Sequence, residues 1–181
     1  MKAIFLDRDG VINKYPGDGK YVTSWKEFHF LPKAKSALRK LHENDFKIFV
    51  VSNQAGVNKG LLSRQALDDI TERMLNEIKK SKGEIKGVYY CTHRQEDNCS
   101  CRKPKAGLIL GAQKKYHIDL KKTYFIGDTI RDVQTAKAAG CKAILLLSGK
   151  EKISNRKNWP LKPDHIFPSL YDSIEFILKK K

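Results

Sequence analysis

The sequence has no long hydrophobic run. Its longest uninterrupted apolar stretch is Ala143 to Leu147, whereas a membrane-spanning helix needs about 20 apolar residues. A membrane-spanning helix is therefore excluded, and no membrane partner is expected. Low-complexity tracts and internal repeats are absent as well, so nothing marks a solenoid, a fibre or a linker. Acidic residues are scarce: 20 Asp and Glu face 36 Lys and Arg, for a net charge of +16. The lysines are scattered, as at Lys33-Ala34-Lys35, Lys79-Lys80 and Lys114-Lys115. They are not interleaved with the aromatics that stack bases in single-strand binders. The basic balance reads as a lysine-rich solvated surface that steers anionic substrates, and nucleic acid is not expected as a partner. There are only four cysteines. Candidate catalytic residues begin at position 7 and leave no room for a leader, so a cytoplasmic location is expected and a disulfide framework is not.

What is present suffices for one domain: 181 residues, 40% of them hydrophobic. Strand and helix signals alternate, which argues for βαβ units on a parallel sheet. Strands are expected at Ala3 to Leu6, Phe46 to Val51, Val88 to Tyr90, Tyr124 to Ile126 and Ala143 to Leu147. Pro32 suits the first turn of a helix reaching His42. Ser63 can cap a long helix with Leu67, Ile70, Met74 and Ile78 on one face and Gly83 as its stop. A short helix should run from Ile130 to Ala139 and end at Gly140. Ser169 and Asp172 can cap a last helix carrying Ile174, Ile177 and Leu178.

The chemistry begins where the first strand ends, at Asp7-Arg8-Asp9-Gly10-Val11. Two carboxylates at this spacing can serve one phosphoryl group in two roles. Asp7 can attack phosphorus, and Asp9, turned by the loop, can handle the proton of the leaving alcohol. A calcium loop shares the D-x-D-G pattern, but it requires another Asp or Asn where Val11 stands. Three further segments follow in order: Val50-Val51-Ser52-Asn53-Gln54, Cys101-Arg102-Lys103-Pro104, and Phe125-Ile126-Gly127-Asp128-Thr129-Ile130-Arg131-Asp132. The first and third begin as apolar runs and break into polar residues, as strand ends do. In an open parallel sheet those ends form the ligand crevice. Asp7, Ser52 and Asp128 should therefore converge, with Lys103 reaching in from a loop.

Taken in order, these four motifs resemble those of the haloacid-dehalogenase-like (HAD) phosphatases, and the resemblance covers nearly the whole chain. It implies an α/β fold: a Rossmann-like HAD core, a parallel sheet with helices on both faces, and no separate cap domain. The expected domain is a single one, 1–181. The resemblance also implies Mg²⁺, held by the Asp7 side chain, the Asp9 backbone carbonyl and the Asp128 side chain, with Asp132 orienting a metal-bound water. Ser52 would donate to the phosphoryl oxygens, and Lys103 would neutralise their charge.

Cys91, His93, Cys99 and Cys101 supply three thiols and an imidazole within eleven residues. That is the donor set of a closed, structural Zn²⁺ site, which would fix the loop 91–104 and aim Arg102 and Lys103. The loop followed by Arg-Lys-Pro resembles two sister families, the D-glycero-D-manno-heptose 1,7-bisphosphate 7-phosphatases and the histidinol-phosphate phosphatases. Ser52 to Gly60, Asn13 and Tyr21-Val22 resemble the heptose family. The loop from Asn13 to Tyr21 is longer than usual there, and Thr129 stands where some relatives place Lys.

The heptose reading implies hydrolysis of the 7-phosphate through an aspartyl-phosphate, in the synthesis of nucleotide-activated heptose. The partner would be a phosphorylated sugar and the chain a monomer. Ser52, Asn53, Gln54, Arg102, Lys103 and the loop Asp18, Gly19, Lys20 and Tyr21 would bind substrate, with Arg102 reaching its distal phosphate. The alternatives are a histidinol-phosphate phosphatase, a polynucleotide-end phosphatase, or a non-catalytic phosphate-binding module.

Overall fold

The computed structural model describes residues 1–179. Six parallel strands form one sheet in the order β3-β2-β1-β4-β5-β6. They are β1 (Ala3–Leu6), β2 (Lys47–Asn53), β3 (Gly87–Cys91), β4 (Tyr124–Gly127), β5 (Lys142–Leu146) and β6 (His165–Phe167). Between and after them run α1 (Ala34–Glu43), α2 (Arg64–Lys80), α3 (Gly107–Tyr116), α4 (Ile130–Ala139) and α5 (Leu170–Lys179).

Strand periodicity divides the core in two. Ile4 and Leu6 of β1, Ile48 and Val50 of β2, Ile126 of β4 and Ile144 and Leu146 of β5 face α1, α2 and α5. Ala3 and Phe5, Phe49 and Val51, Phe125, and Ala143 and Leu145 face α3 and α4 on the other side. Truncating a fully buried Leu or Ile in either layer to Ala should cost about 2–5 kcal/mol.

The helix signals hold at α2, where the Ser63 hydroxyl accepts from the Ala66 N–H at 3.0 Å and the four expected residues are buried. They hold too at α4, which Gly140 ends in the left-handed conformation. α1 starts later than Pro32, because Lys33 adopts φ 59° and helical geometry begins only at Ala34. α2 stops at Lys80, and Gly83 closes the turn by donating to the Ile78 carbonyl at 3.0 Å. β6 is an addition to the expected strands, too short at three residues to show a period. Beyond its entry after Pro104, α3 was also not delimited by pattern, since two glycines and the exposed Leu110 interrupt it.

With β1 central, its neighbours β2 and β4 run out on either side. Successive strands are added in one direction from β1 to β3 and in the other from β4 to β6, so the crevice opens at the switch point above these three strand ends.

Candidate active site

Asp7 follows β1 directly and stays in the sheet: its N–H donates to the Ile126 carbonyl at 2.9 Å. One carboxylate oxygen accepts the Arg8 N–H at 2.7 Å, and the other lies 2.8 Å from the Lys103 ammonium. That ammonium is buried, lies 2.6 Å from Asp132, and also donates to the Val51 carbonyl at 3.2 Å. Asp7, Asp128 and Asp132 together form one group of mutually close carboxylates.

Glycines permit the close approach. A methyl group on Gly10 or on Gly149 would overlap the Asp128 carboxylate, and one on Gly127 would overlap Asp132. Gly10 also takes φ 78°, a conformation that suits glycine. Asp128 is thus held between two backbones, accepting the Lys150 N–H at 2.8 Å.

Three carboxylates with one ammonium leave an excess of negative charge. Burial raises the Asp7 acid to about 6 despite Lys103, with Asp132 and Asp9 adding to the rise. Burial, then Asp132 and Asp7, likewise push Asp128 well above the ordinary carboxylate range. Burial opposes the charge on Lys103, but Asp132 and Asp7 outweigh it and hold the lysine protonated. A pocket of oxygen donors short of one cation suits a hard divalent ion such as Mg²⁺.

Asp132, expected to orient a metal-bound water, belongs to the same group, and its oxygens are also engaged by protein groups: one by Lys103, the other by the Thr129 N–H and hydroxyl at 3.0 and 2.6 Å in a capping box at the start of α4.

Asp9 stands apart from this cluster. Its carboxylate accepts from the Arg8 guanidinium at 3.0–3.2 Å, from Asn13 Nδ2 at 2.8 Å and from Gln54 Nε2 at 2.9 Å. Gln54, expected among the substrate contacts, is fully buried and does not line the cavity; it bridges Arg8, Asp9 and Ser52.

The cavity, about 560 Å³, is lined by Asp7, Asp9, Ser52, Lys103 and Asp128, and also by Asn53, Arg102 and the loop from Asp18 to Tyr21. Asn53 is already committed: its amide exchanges two hydrogen bonds with the Lys103 backbone, at 3.0 and 3.1 Å. The Asp18 carboxylate is committed as well, to the Tyr15 hydroxyl and the Lys150 ammonium. Gly19, Lys20 and Tyr21 complete that wall. Lys150 and the exposed Arg131 add positive charge to the lining, and pattern alone had marked neither.

Beside the cavity, Cys91 ends β3 and meets the other three expected zinc ligands. Sulfur–sulfur separations are 3.1–3.6 Å, and His93 Nδ1 is 3.2 Å from Cys101. A tetrahedron with ~2.3 Å zinc–sulfur bonds has ~3.8 Å edges, so the donors are close to the spacing such an ion needs. Burial, with the Cys101 contact, pushes the Cys91 thiol up to about 12. Arg102 leaves this loop, donates to the His93 carbonyl at 3.1 Å and still lines the cavity.

Sheet order and site geometry together define a haloacid-dehalogenase-like hydrolase, and a family model of that description, HAD-hydrolase-like, matches residues 100–173. A D-glycero-β-D-manno-heptose-1,7-bisphosphate 7-phosphatase of Neisseria meningitidis is 33% identical, covering 99% of this chain and 96% of its own. Its Escherichia coli K12 counterpart is 34% identical over 100% of this chain and 96% of its own. The crystal structure of D,D-heptose 1,7-bisphosphate phosphatase from B. bronchiseptica, complexed with magnesium and phosphate, superposes with a TM-score of 0.94 at 30% identity, covering both chains fully. The chain belongs to the family of D-glycero-D-manno-heptose 1,7-bisphosphate 7-phosphatases, which are phosphoric monoester hydrolases.

Proposed function

We propose that this protein removes the 7-phosphate of D-glycero-D-manno-heptose 1,7-bisphosphate through an aspartyl-phosphate, leaving the anomeric phosphate in place. The observation that carries the reading is the Asp7 carboxylate, fixed by Lys103 and the Arg8 N–H, facing a cavity with Asp128 beside it.

Magnesium would be held by the Asp7 and Asp128 carboxylates and the Asp9 backbone carbonyl. When bound it neutralises charge between nucleophile and phosphate. Asp7 attacks phosphorus, and the bond to the sugar oxygen breaks with its electron pair on that oxygen. Asp9 gives that oxygen a proton, then takes one from the water that releases Asp7 as free carboxylate and the product as phosphate. Lys103 neutralises the phosphoryl charge. The Ser52 hydroxyl accepts from Gln54 Nε2 at 3.2 Å, so its own proton is free to point at a phosphoryl oxygen.

The cysteine cluster would hold zinc in a closed, structural site, and Arg102 would take the distal phosphate as a bidentate clamp.

The test is phosphate release from the heptose bisphosphate against heptose monophosphates and histidinol phosphate. Preference for the bisphosphate, with the 1-phosphate retained, supports the reading; preference for histidinol phosphate rejects it. Arg102→Ala should cost roughly tenfold more with the bisphosphate than with a monophosphate, since charge-assisted contacts contribute about 1.5–3 kcal/mol.

A further inference from the structure

The largest fully buried side chain belongs to Arg8, between the two motif aspartates. Its guanidinium lies over the rings of Phe28 and Tyr90, 6.0 and 5.7 Å from their centroids, within the layer that faces α1 and α2. A permanently charged group in that position must find a counter-charge, and the structure gives it Asp9, with which it makes a side-on pair. The same Nη2 donates to Gln54 Oε1 at 3.2 Å.

That last contact settles which way the Gln54 amide points, because a guanidinium can only donate and the carbonyl oxygen must face it. The amide nitrogen is thereby turned to the other side, where its two hydrogens reach Asp9 Oδ2 at 2.9 Å and Ser52 Oγ at 3.2 Å. One buried cation thus sets the orientation of two groups on the cavity wall.

We propose that Arg8 is a positioning residue for phosphoryl transfer: it clamps the Asp9 carboxylate directly and, through Gln54, aligns it with the Ser52 hydroxyl. The inference rests on the reading of Asp9 as the acid for the departing alcohol. Arg8 itself touches no reacting atom. Its loss should slow the first transfer, to Asp7, most where the leaving group needs a proton and little where it departs as a stable anion; the later hydrolysis of the aspartyl-phosphate is the same for both esters.

The test compares a sugar phosphate with p-nitrophenyl phosphate in Arg8→Met and, in case that variant does not fold, in Gln54→Met, with Asp9→Asn as reference. With the sugar phosphate both variants should lose roughly tenfold to a hundredfold in kcat/KM, which reports the transfer to Asp7 and not the later hydrolysis, and less than about threefold with the aryl ester. Arg8→Lys, which keeps the charge but not the fork, should fall between wild type and Arg8→Met. Equal losses of kcat/KM on the two esters, or an unchanged kcat/KM for the sugar phosphate, would overturn the assignment of Arg8 while Asp9→Asn still discriminates between them. If Asp9→Asn itself fails to discriminate, the reading of Asp9 falls and takes the assignment of Arg8 with it.

Discussion

The carboxylate pocket and the cysteine loop are neighbours joined through Arg102 and Lys103, yet they are built on opposite plans. The carboxylates emerge from the ends of β1 and β4 and the first turn of α4, braced by a buried lysine and by glycines that let backbone crowd against them. Their positions are set by the sheet, and a cation would enter a site that already exists. Of the cysteine-loop ligands only Cys91 lies in a strand; the other three sit on irregular chain, where their side chains meet Cys91 and one another. There the ion would supply the structure that the backbone lacks. One site would thus be organised by the fold for its metal, the other by its metal for the fold.

The most damaging perturbation of the first plan is Asp7→Asn, which keeps the shape and removes the nucleophile. Turnover should vanish while circular dichroism stays unchanged; activity that survives, with deamidation excluded, would end the covalent mechanism. Next comes Gly149→Ala, whose methyl overlaps the Asp128 carboxylate. Displacing a reacting constellation by ~1 Å costs roughly a hundredfold, so kcat should drop by about that factor with little change in secondary structure. Near-normal turnover would mean that the glycine brace is dispensable.

The second plan is tested by Cys99→Ser or by chelation of zinc. Both activity and the melting temperature should fall, by about 2–4 °C for each kcal/mol lost. Elemental analysis without zinc in protein purified free of chelators would refute the site.

The smallest effect separates the plans by pH. In metal-free protein the raised Asp7 acid favours the protonated folded form, so its contribution to stability is present at low pH and lost as pH rises from about 4 to about 6. Magnesium at ten times its dissociation constant contributes about 1.4 kcal/mol, or about 3–6 °C. That gain should be greater at pH 7 than at pH 5; a gain independent of pH would mean that the carboxylates do not receive the ion.

Much of this site was legible because its residues fall at strand ends in a fixed order, where a buried run breaks into polar residues: Asp7, Ser52 and Asp128 are of this kind. The cysteine cluster was legible from composition and spacing. Arg8 was missed, although strand parity could have found it: counting by two from Ile4 and Leu6 puts residue 8 on their face, opposite Asp7. The commitments of Asn53, Gln54 and Asp18 were not legible, because a polar side chain near a site looks the same in sequence whether it faces ligand or another residue. Gly149 and Lys150 lie in a connection with no periodicity, and only the fold brings them to Asp128.

The ion pair between Asp18 and Lys150 ties together two walls of the cavity that are 132 residues apart in sequence. Both partners are well exposed, so solvent and salt screen the attraction. The contact between these two walls should therefore be weak, and weaker in concentrated salt than in dilute buffer.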